Sequence, residues 1–162
     1  MKILNAVLAT VLLMASTVGQ AQEQATASVP KEFPSVGADR EAILALLDNY
    51  TMAVSTKNQA LFETLLLNKE IPFASAGTAI KNNGAVGGAS RYESFRRGVF
   101  EGKPFTQKFQ DVRISQYGPL ADVTLVFVNT SESGSGWGWK TMQLLKVSGH
   151  WKIASEFYSF PE

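Results

Sequence analysis

Between residues 39 and 67, apolar positions recur every three or four residues. Ile43, Leu46, Leu47, Tyr50 and Val54 share one helical face, which predicts an amphipathic helix with a buried stripe. Asp39 can cap its start, although Ala42 stands where a capping box would place a carboxylate. A second helix is predicted over 58–67, with Asn58 near its start and Ala60, Leu61, Leu65 and Leu66 inward. Residues 71–75 read as a short strand or extended run, which Pro72 assigns to an edge or a bulge. Residues 76–90 read as a hairpin-like excursion with an Asn83-Gly84 turn and a Gly87-Gly88 pair. Ser90 and Glu93 have capping-box spacing and open another helix. There Tyr92, Phe95 and Val99 face the body and Arg91, Arg96 and Arg97 face solvent.

The period then shortens to two. Strands are predicted over 105–117, 121–130, 138–147 and 151–160, separated by Gly118-Pro119, by a Ser/Gly-rich stretch over 131–136 and by Ser148-Gly149-His150. Such short connections favour consecutive antiparallel pairing, since a parallel crossover needs about a dozen residues. Helices followed by an antiparallel sheet make an α+β layout, with no internal repeat or second domain. On the first long strand, Phe109, Asp111, Arg113, Ser115 and Tyr117 oppose Gln110, Val112, Ile114 and Gln116. On the third, Trp137, Trp139, Thr141 and Gln143 oppose Gly138, Lys140, Met142 and Leu144. On the last, Trp151, Ile153, Ser155 and Phe157 oppose Lys152, Ala154, Glu156 and Tyr158.

The N-terminus departs from this pattern. Met1-Lys2 precedes an apolar stretch ending in Gly19-Gln20-Ala21, followed by the polar Gln22-Glu23-Gln24. This is the arrangement of a secretory signal peptide over residues 1–21, with cleavage expected after Ala21. The alternatives are a retained membrane anchor and a buried first helix. About 16 apolar residues are short for a bilayer span, and stable membrane insertion is not expected after cleavage. Residues 22–38, with Pro30 and Pro34, read as a flexible segment. The 162-residue chain has 15 Lys+Arg, 14 Asp+Glu, one histidine and no cysteine. Disulfides, thiolate zinc sites and cysteine nucleophiles are therefore excluded. Residues 22–162 carry equal numbers of basic and acidic side chains, unlike a nucleic-acid binder. The leader and the cysteine-free remainder point to a bacterial exported protein, periplasmic or secreted.

The runs LLDNYTMAVSTKNQALFETLL, IPFASAG, SRYESFRRG and WKIASEFYSF, in this order, resemble the cone-shaped superfamily named for nuclear transport factor 2. The resemblance covers residues 39–160, places the domain over 39–162, and is especially similar to bacterial SnoaL-like and lumazine-binding-like domains. It implies a cystatin-like α+β cone, with N-terminal helices packed in a strongly curved antiparallel sheet, a pocket at the open end and a homodimer formed through the sheet. Its members include isomerases, dehydratases, hydrolases, polyketide cyclases and scaffolding domains, so fold leaves function open.

Isomerase chemistry in such a fold needs a carboxylate base on the first strand and an oxyanion site made by a tyrosine and a protonated acid. Tyr50 matches the helix-one tyrosine, but Ala74 stands where the base would be, and Trp137, Trp139 and Thr141 where the acid would be. Tyr50 reads first as a core aromatic and otherwise as a pocket hydrogen-bonding group. Asp111 and Arg113 form either a pair at a pocket rim or a surface pair of little value. Trp137 and Trp139 suit core or interface packing, or an aromatic wall for a flat, partly apolar ligand. Glu156, with Tyr158 or Arg113, is the constellation considered for proton transfer, and its ordinary alternative is a solvent-facing sheet position. His150 falls in a turn. Phosphate-loop, nucleophile-elbow and paired-carboxylate glycosidase patterns are absent from the sequence, and no cofactor or metal site is expected.

The candidate ligand residues are therefore Tyr50, Arg113, Trp137, Trp139, Glu156 and Tyr158. The leading expectation is an exported, non-catalytic domain that binds a small ligand or forms a structural dimer. A pocket-based isomerase, dehydratase or hydrolase using Glu156 and Tyr50 is the first alternative, and an interaction module with a filled interior the second.

Overall fold

The computed structural model describes residues 30–81 and 91–161. The expected leader, residues 22–29, the Asn83-Gly84 turn, the Gly87-Gly88 pair and Ser90 lie outside the described residues. The first helix, α1 (Gly37–Ser55), buries Ile43, Leu46, Leu47, Tyr50, Ala53 and Val54, as its apolar spacing requires. It starts earlier than Asp39, with Val36 as an extended N-cap that makes no side-chain cap bond. Asp39 lies in the first turn and accepts hydrogen bonds from Lys146 Nζ at 2.6 Å, Gln116 Nε2 at 2.9 Å and Trp151 Nε1 at 3.2 Å. One carboxylate thus ties the start of α1 to three strands. Just before it, Gln116 N donates to Phe33 O at 2.7 Å, so residues 33–35 lie along the same strand as the bridge from Pro34 to Ser115.

Helix α2 (Gln59–Leu65) is capped by Asn58, whose side chain accepts from Leu61 N at 3.0 Å. It buries Phe62 and Leu65, whereas Ala60 is exposed. Strand β1 (Phe73–Ser75) is short, as Pro72 predicts, and runs directly into α3 (Ala76–Lys81) where a hairpin arm was expected. Helix α4 (Tyr92–Arg96) buries Tyr92 and Phe95 and continues into a π-helical turn, Arg97–Glu101. Strands β2 (Thr106–Tyr117), β3 (Leu120–Ser131), β4 (Gly134–Val147) and β5 (His150–Ser159) follow within a few residues of their predicted bounds.

The sheet corrects the expected fold. Its order is β1-β5-β4-β3-β2, with β1 parallel to β5 and the other pairs antiparallel. It is therefore an open, mixed five-stranded sheet with β1 and β2 at its edges, not a strongly curved antiparallel one. The short turns of the last four strands fix their antiparallel sense. Strand β1 reaches β5 across most of the chain, so neither its pairing nor its direction follows from local pattern.

Two β-bulges set which side chains face the helices. In β2 the register shifts between Gln110 and Arg113, and Asp111 adopts φ 50°. Before the shift Gln107 and Phe109 point inward. After it Val112, Ile114 and Gln116 do, while Asp111 and Arg113 are exposed and unpaired with each other among the described residues. In β5, Leu144 pairs with Ile153 and Gln143 with Ser155, so Ala154 is the extra residue. Trp151 and Ile153 face inward before it, Glu156 and Tyr158 after it. Strict alternation misses both switches, because an inserted residue inverts the phase.

The helices cover one sheet face through an aromatic cluster. Phe62 packs on Tyr50 at a 4.7 Å centroid separation and Phe73 on Phe95 at 4.5 Å, with Tyr92 and Phe100 adjoining. Gly138 leaves room for the inward Phe127 ring. A Cβ at this position would collide with that ring and with the Ser159 carbonyl oxygen.

Gly138→Ala is accordingly expected to lower stability by roughly 1–3 kcal/mol, the usual cost of overpacking, measured by urea denaturation. The bonds from Lys146 and Gln116 hold the Asp39 carboxyl below its ordinary value of 3.8. Its contribution is complete above that unfolded value and is lost as pH falls through the lower folded value. Urea midpoints taken from about pH 6 to about pH 2 should therefore fall more steeply in the natural protein than in Asp39→Asn.

Candidate functional site

Three buried polar side chains meet beneath the helices. Lys140 comes from β4, in phase with the inward Met142 and Leu144. Glu156 comes from β5, where Met142 is its cross-strand partner and Lys140 its diagonal neighbour. Tyr50 reaches them from α1. Lys140 Nζ lies 2.7 Å from Glu156 Oε1 and donates to Tyr50 Oη at 2.5 Å, and Tyr50 Oη donates to the same Glu156 oxygen at 2.9 Å. Lys140 is 2% exposed, and Glu156 and Tyr50 are completely enclosed.

The surroundings are aromatic. Lys140 Nζ lies 4.2 Å from the centre of the Tyr50 ring, 5.3 Å from Phe109, 5.4 Å from Phe127, 5.8 Å from Tyr158 and 6.0 Å from Phe95. These rings supply cation–π attraction in place of water. At 2.7 Å and an effective dielectric constant of about 20, the Lys140–Glu156 attraction is about 6 kcal/mol, comparable with the several kcal/mol needed to desolvate each ion. Burial pulls the Lys140 amine down from its ordinary value and pushes the Glu156 carboxyl up, each opposed by the other's charge. Burial and Glu156 together raise the Tyr50 phenol, and the same two causes push Tyr158 up to about 12. Among the described residues, Glu156 Oε2 has no hydrogen-bond partner. This is an unusual state for a buried carboxylate oxygen.

Of the three, Lys140 reaches a cavity of about 180 Å³ whose other walls include Ser94, Phe95, Val99, Gln107, Phe127 and Tyr158. Gln107 donates to Asn129 at 2.7 Å, but its own Oε1 is buried without a partner among the described residues. A surface cleft of about 680 Å³, between Lys103–Phe105 and the Ser131–Gly136 turn, shares Phe105 and Asn129 with the inner cavity. Lys57 holds the π-helical segment between them, donating to the carbonyls of Val99, Gly102 and Lys103.

The structure thus brings together Tyr50, Glu156 and Tyr158 among the residues singled out in the sequence. Trp137 and Trp139 lie on the opposite sheet face, each 52% exposed, beside Val128 and Val126. Arg113 is exposed beyond the β2 bulge, and His150 is exposed at the start of β5. Sequence reasoning passed over Lys140, although a signal was present: it alternates in phase with Met142 and Leu144, against the more polar Thr141 and Gln143. No cluster of three or more His, Asp or Glu side chains suited to a metal occurs among the described residues. No helix among them is long and apolar enough to cross a membrane.

Replacing one member of the ion pair leaves the other charge buried alone. Lys140→Met and Glu156→Leu are each expected to cost about 3–5 kcal/mol. The double variant should cost less than the sum by about 1–3 kcal/mol. Urea denaturation of all four proteins measures this coupling, and strict additivity would contradict it.

Comparison with solved structures shows the same fold in bacterial proteins. A protein of unknown function with a cystatin-like fold from Nostoc punctiforme superimposes with TM-score 0.62 at 10% identity, over 79% of this chain and 95% of its own. A candidate scytalone dehydratase from Novosphingobium aromaticivorans gives 0.60 at 18% identity, over 76% and 84%. A nuclear transport factor 2-like protein from Salmonella enterica gives 0.58 at 15% identity, over 76% and 91%. At these identities the likenesses show the fold alone. A sequence comparison with curated proteins finds no match. The model of the SnoaL-like domain matches residues 43–162, and the chain belongs to that family.

Proposed function

We propose that this is an exported bacterial domain that binds a small, partly apolar ligand in the inner cavity. The observation that carries the reading is the combination of aromatic walls with convergent polar groups at Lys140, Gln107 and Tyr158, the usual make-up of a ligand site. The volume of about 180 Å³ is near that of an apolar cavity of about 150 Å³ that accepts benzene. It suits a single-ring molecule. Lys140 is already neutralised by Glu156, which favours an uncharged ligand, and the unpartnered Gln107 Oε1 favours one with a hydrogen-bond donor. The leader-like N-terminus supports export. Glu156 is bound to Lys140 and Tyr50 and does not line the cavity, so binding is favoured over isomerase-type proton abstraction from the ligand.

A second reading is supported by the outer sheet face. There Trp137, Trp139 and Phe157 are exposed beside the half-buried Val126 and Val128, an apolar surface suited to a second copy of the chain. A homodimer through this face leaves the inner cavity free. Trp139→Asp should convert such a dimer to monomer in sedimentation velocity, and a natural protein that sediments as a monomer would contradict the dimer.

For the ligand reading, saturation-transfer NMR with phenol and benzamide should detect binding with a Kd of roughly 0.1–1 mM, the range open to so small a molecule. Val99→Trp, which fills the cavity from its wall, should abolish the signal while leaving the fold intact. No binding of either probe at millimolar concentration, or binding unaffected by Val99→Trp, would contradict this site.

A further inference from the structure

Lys140 is the one lysine that is buried among the described residues. Two of its donors are committed, to Tyr50 Oη and Glu156 Oε1, and it stands in the wall of the inner cavity. The neighbouring carboxylate keeps a second oxygen, Glu156 Oε2, enclosed and without a partner among the described residues. An amine beside an apolar cavity, with a proton acceptor 2.7 Å away, is an arrangement that activates lysine toward carbonyl carbon. We propose that Lys140 forms a covalent imine with a small aldehyde or ketone, of single-ring size or less, seated in the inner cavity. This activity rests on the ligand reading of that cavity and goes beyond simple binding.

The step balances within the buried group. Lys140 Nζ passes a proton to Glu156, and the freed lone pair attacks the carbonyl carbon to form a C–N bond. Glu156 gives its proton to the alkoxide oxygen and takes one from the nitrogen, which leaves a neutral carbinolamine and a protonated Glu156. Glu156 then returns its proton to the departing hydroxyl, water leaves, and the C=N bond forms. The product is a protonated imine paired with the Glu156 carboxylate, so one carbonyl and one ammonium become one iminium and one water. No oxidant or metal takes part. Burial favours the neutral amine over the ammonium at Lys140 and the neutral acid over the carboxylate at Glu156, and so eases the first transfer. The Tyr50 hydroxyl, held within hydrogen-bond reach of both, keeps the amine and carboxyl in register.

The test uses the natural full chain with benzaldehyde and cyanoborohydride near pH 6.5, followed by peptide mass spectrometry of every lysine. Lys103 and Lys108 are exposed and serve as internal controls. The expected result is a benzyl adduct at Lys140 formed at least tenfold faster than at Lys103 or Lys108, and lost in Val99→Trp. Benzyl alcohol, which cannot form an imine, separates the two ideas when followed by saturation-transfer NMR. If it binds in the cavity while Lys140 stays unmodified, the imine is overturned and the ligand site stands. If it does not bind and only exposed lysines are labelled, both are overturned.

Discussion

The ammonium of Lys140 is almost wholly withdrawn from water, and much of the interior is arranged around that constraint. A charge in such a place costs several kcal/mol unless it is paired and hydrogen-bonded. Glu156 supplies the opposite charge, Tyr50 bridges the two, and five aromatic rings present their faces or edges around the nitrogen. These groups come from α1, α4, β2, β3, β4 and β5. Placing the lysine therefore couples the helices to nearly every strand, and a loss at one corner exposes a charge to the rest.

Much of the architecture was legible in the chain. The apolar spacing of Ile43 to Val54 specified α1, Asn58 fell at the start of α2 as expected, and four period-two runs ended close to their predicted turns. What local pattern could not supply was the direction of β1, which pairs with β5 over a long sequence separation, and hence the mixed, open sheet. The two bulges were equally hidden. Asp111 and Ala154 look like ordinary members of alternating strands, yet each inverts the phase, so that Phe109 and Ile114, or Ile153 and Glu156, share the inward face.

The site was legible in part for the same reason. Glu156 and Tyr50 stood out by residue type and by place in a familiar order of elements. Lys140 did not, because lysine on a strand is ordinarily a surface residue and the nearby Trp137-Gly138-Trp139 draws the eye to the other face. Gly138 shares the inward face with Lys140. It brings the Phe127 ring against the β4 backbone, and the two tryptophans project outward on either side of it. The inner face is left with a small cavity at the end of a polar triad, next to a larger cleft, and the outer face with an apolar surface.

The protonation state of the pair tests this account most directly. Carbon-13 NMR titration of the Glu156 carboxyl and the Lys140 ε-carbon in the natural protein should show Glu156 titrating above its ordinary value of 4.5 and Lys140 below its ordinary value of 10.5, with each titration perturbing the other's resonance. Independent titrations at ordinary values would mean that both groups are solvated, and would contradict the buried, coupled pair on which the cavity and its chemistry depend.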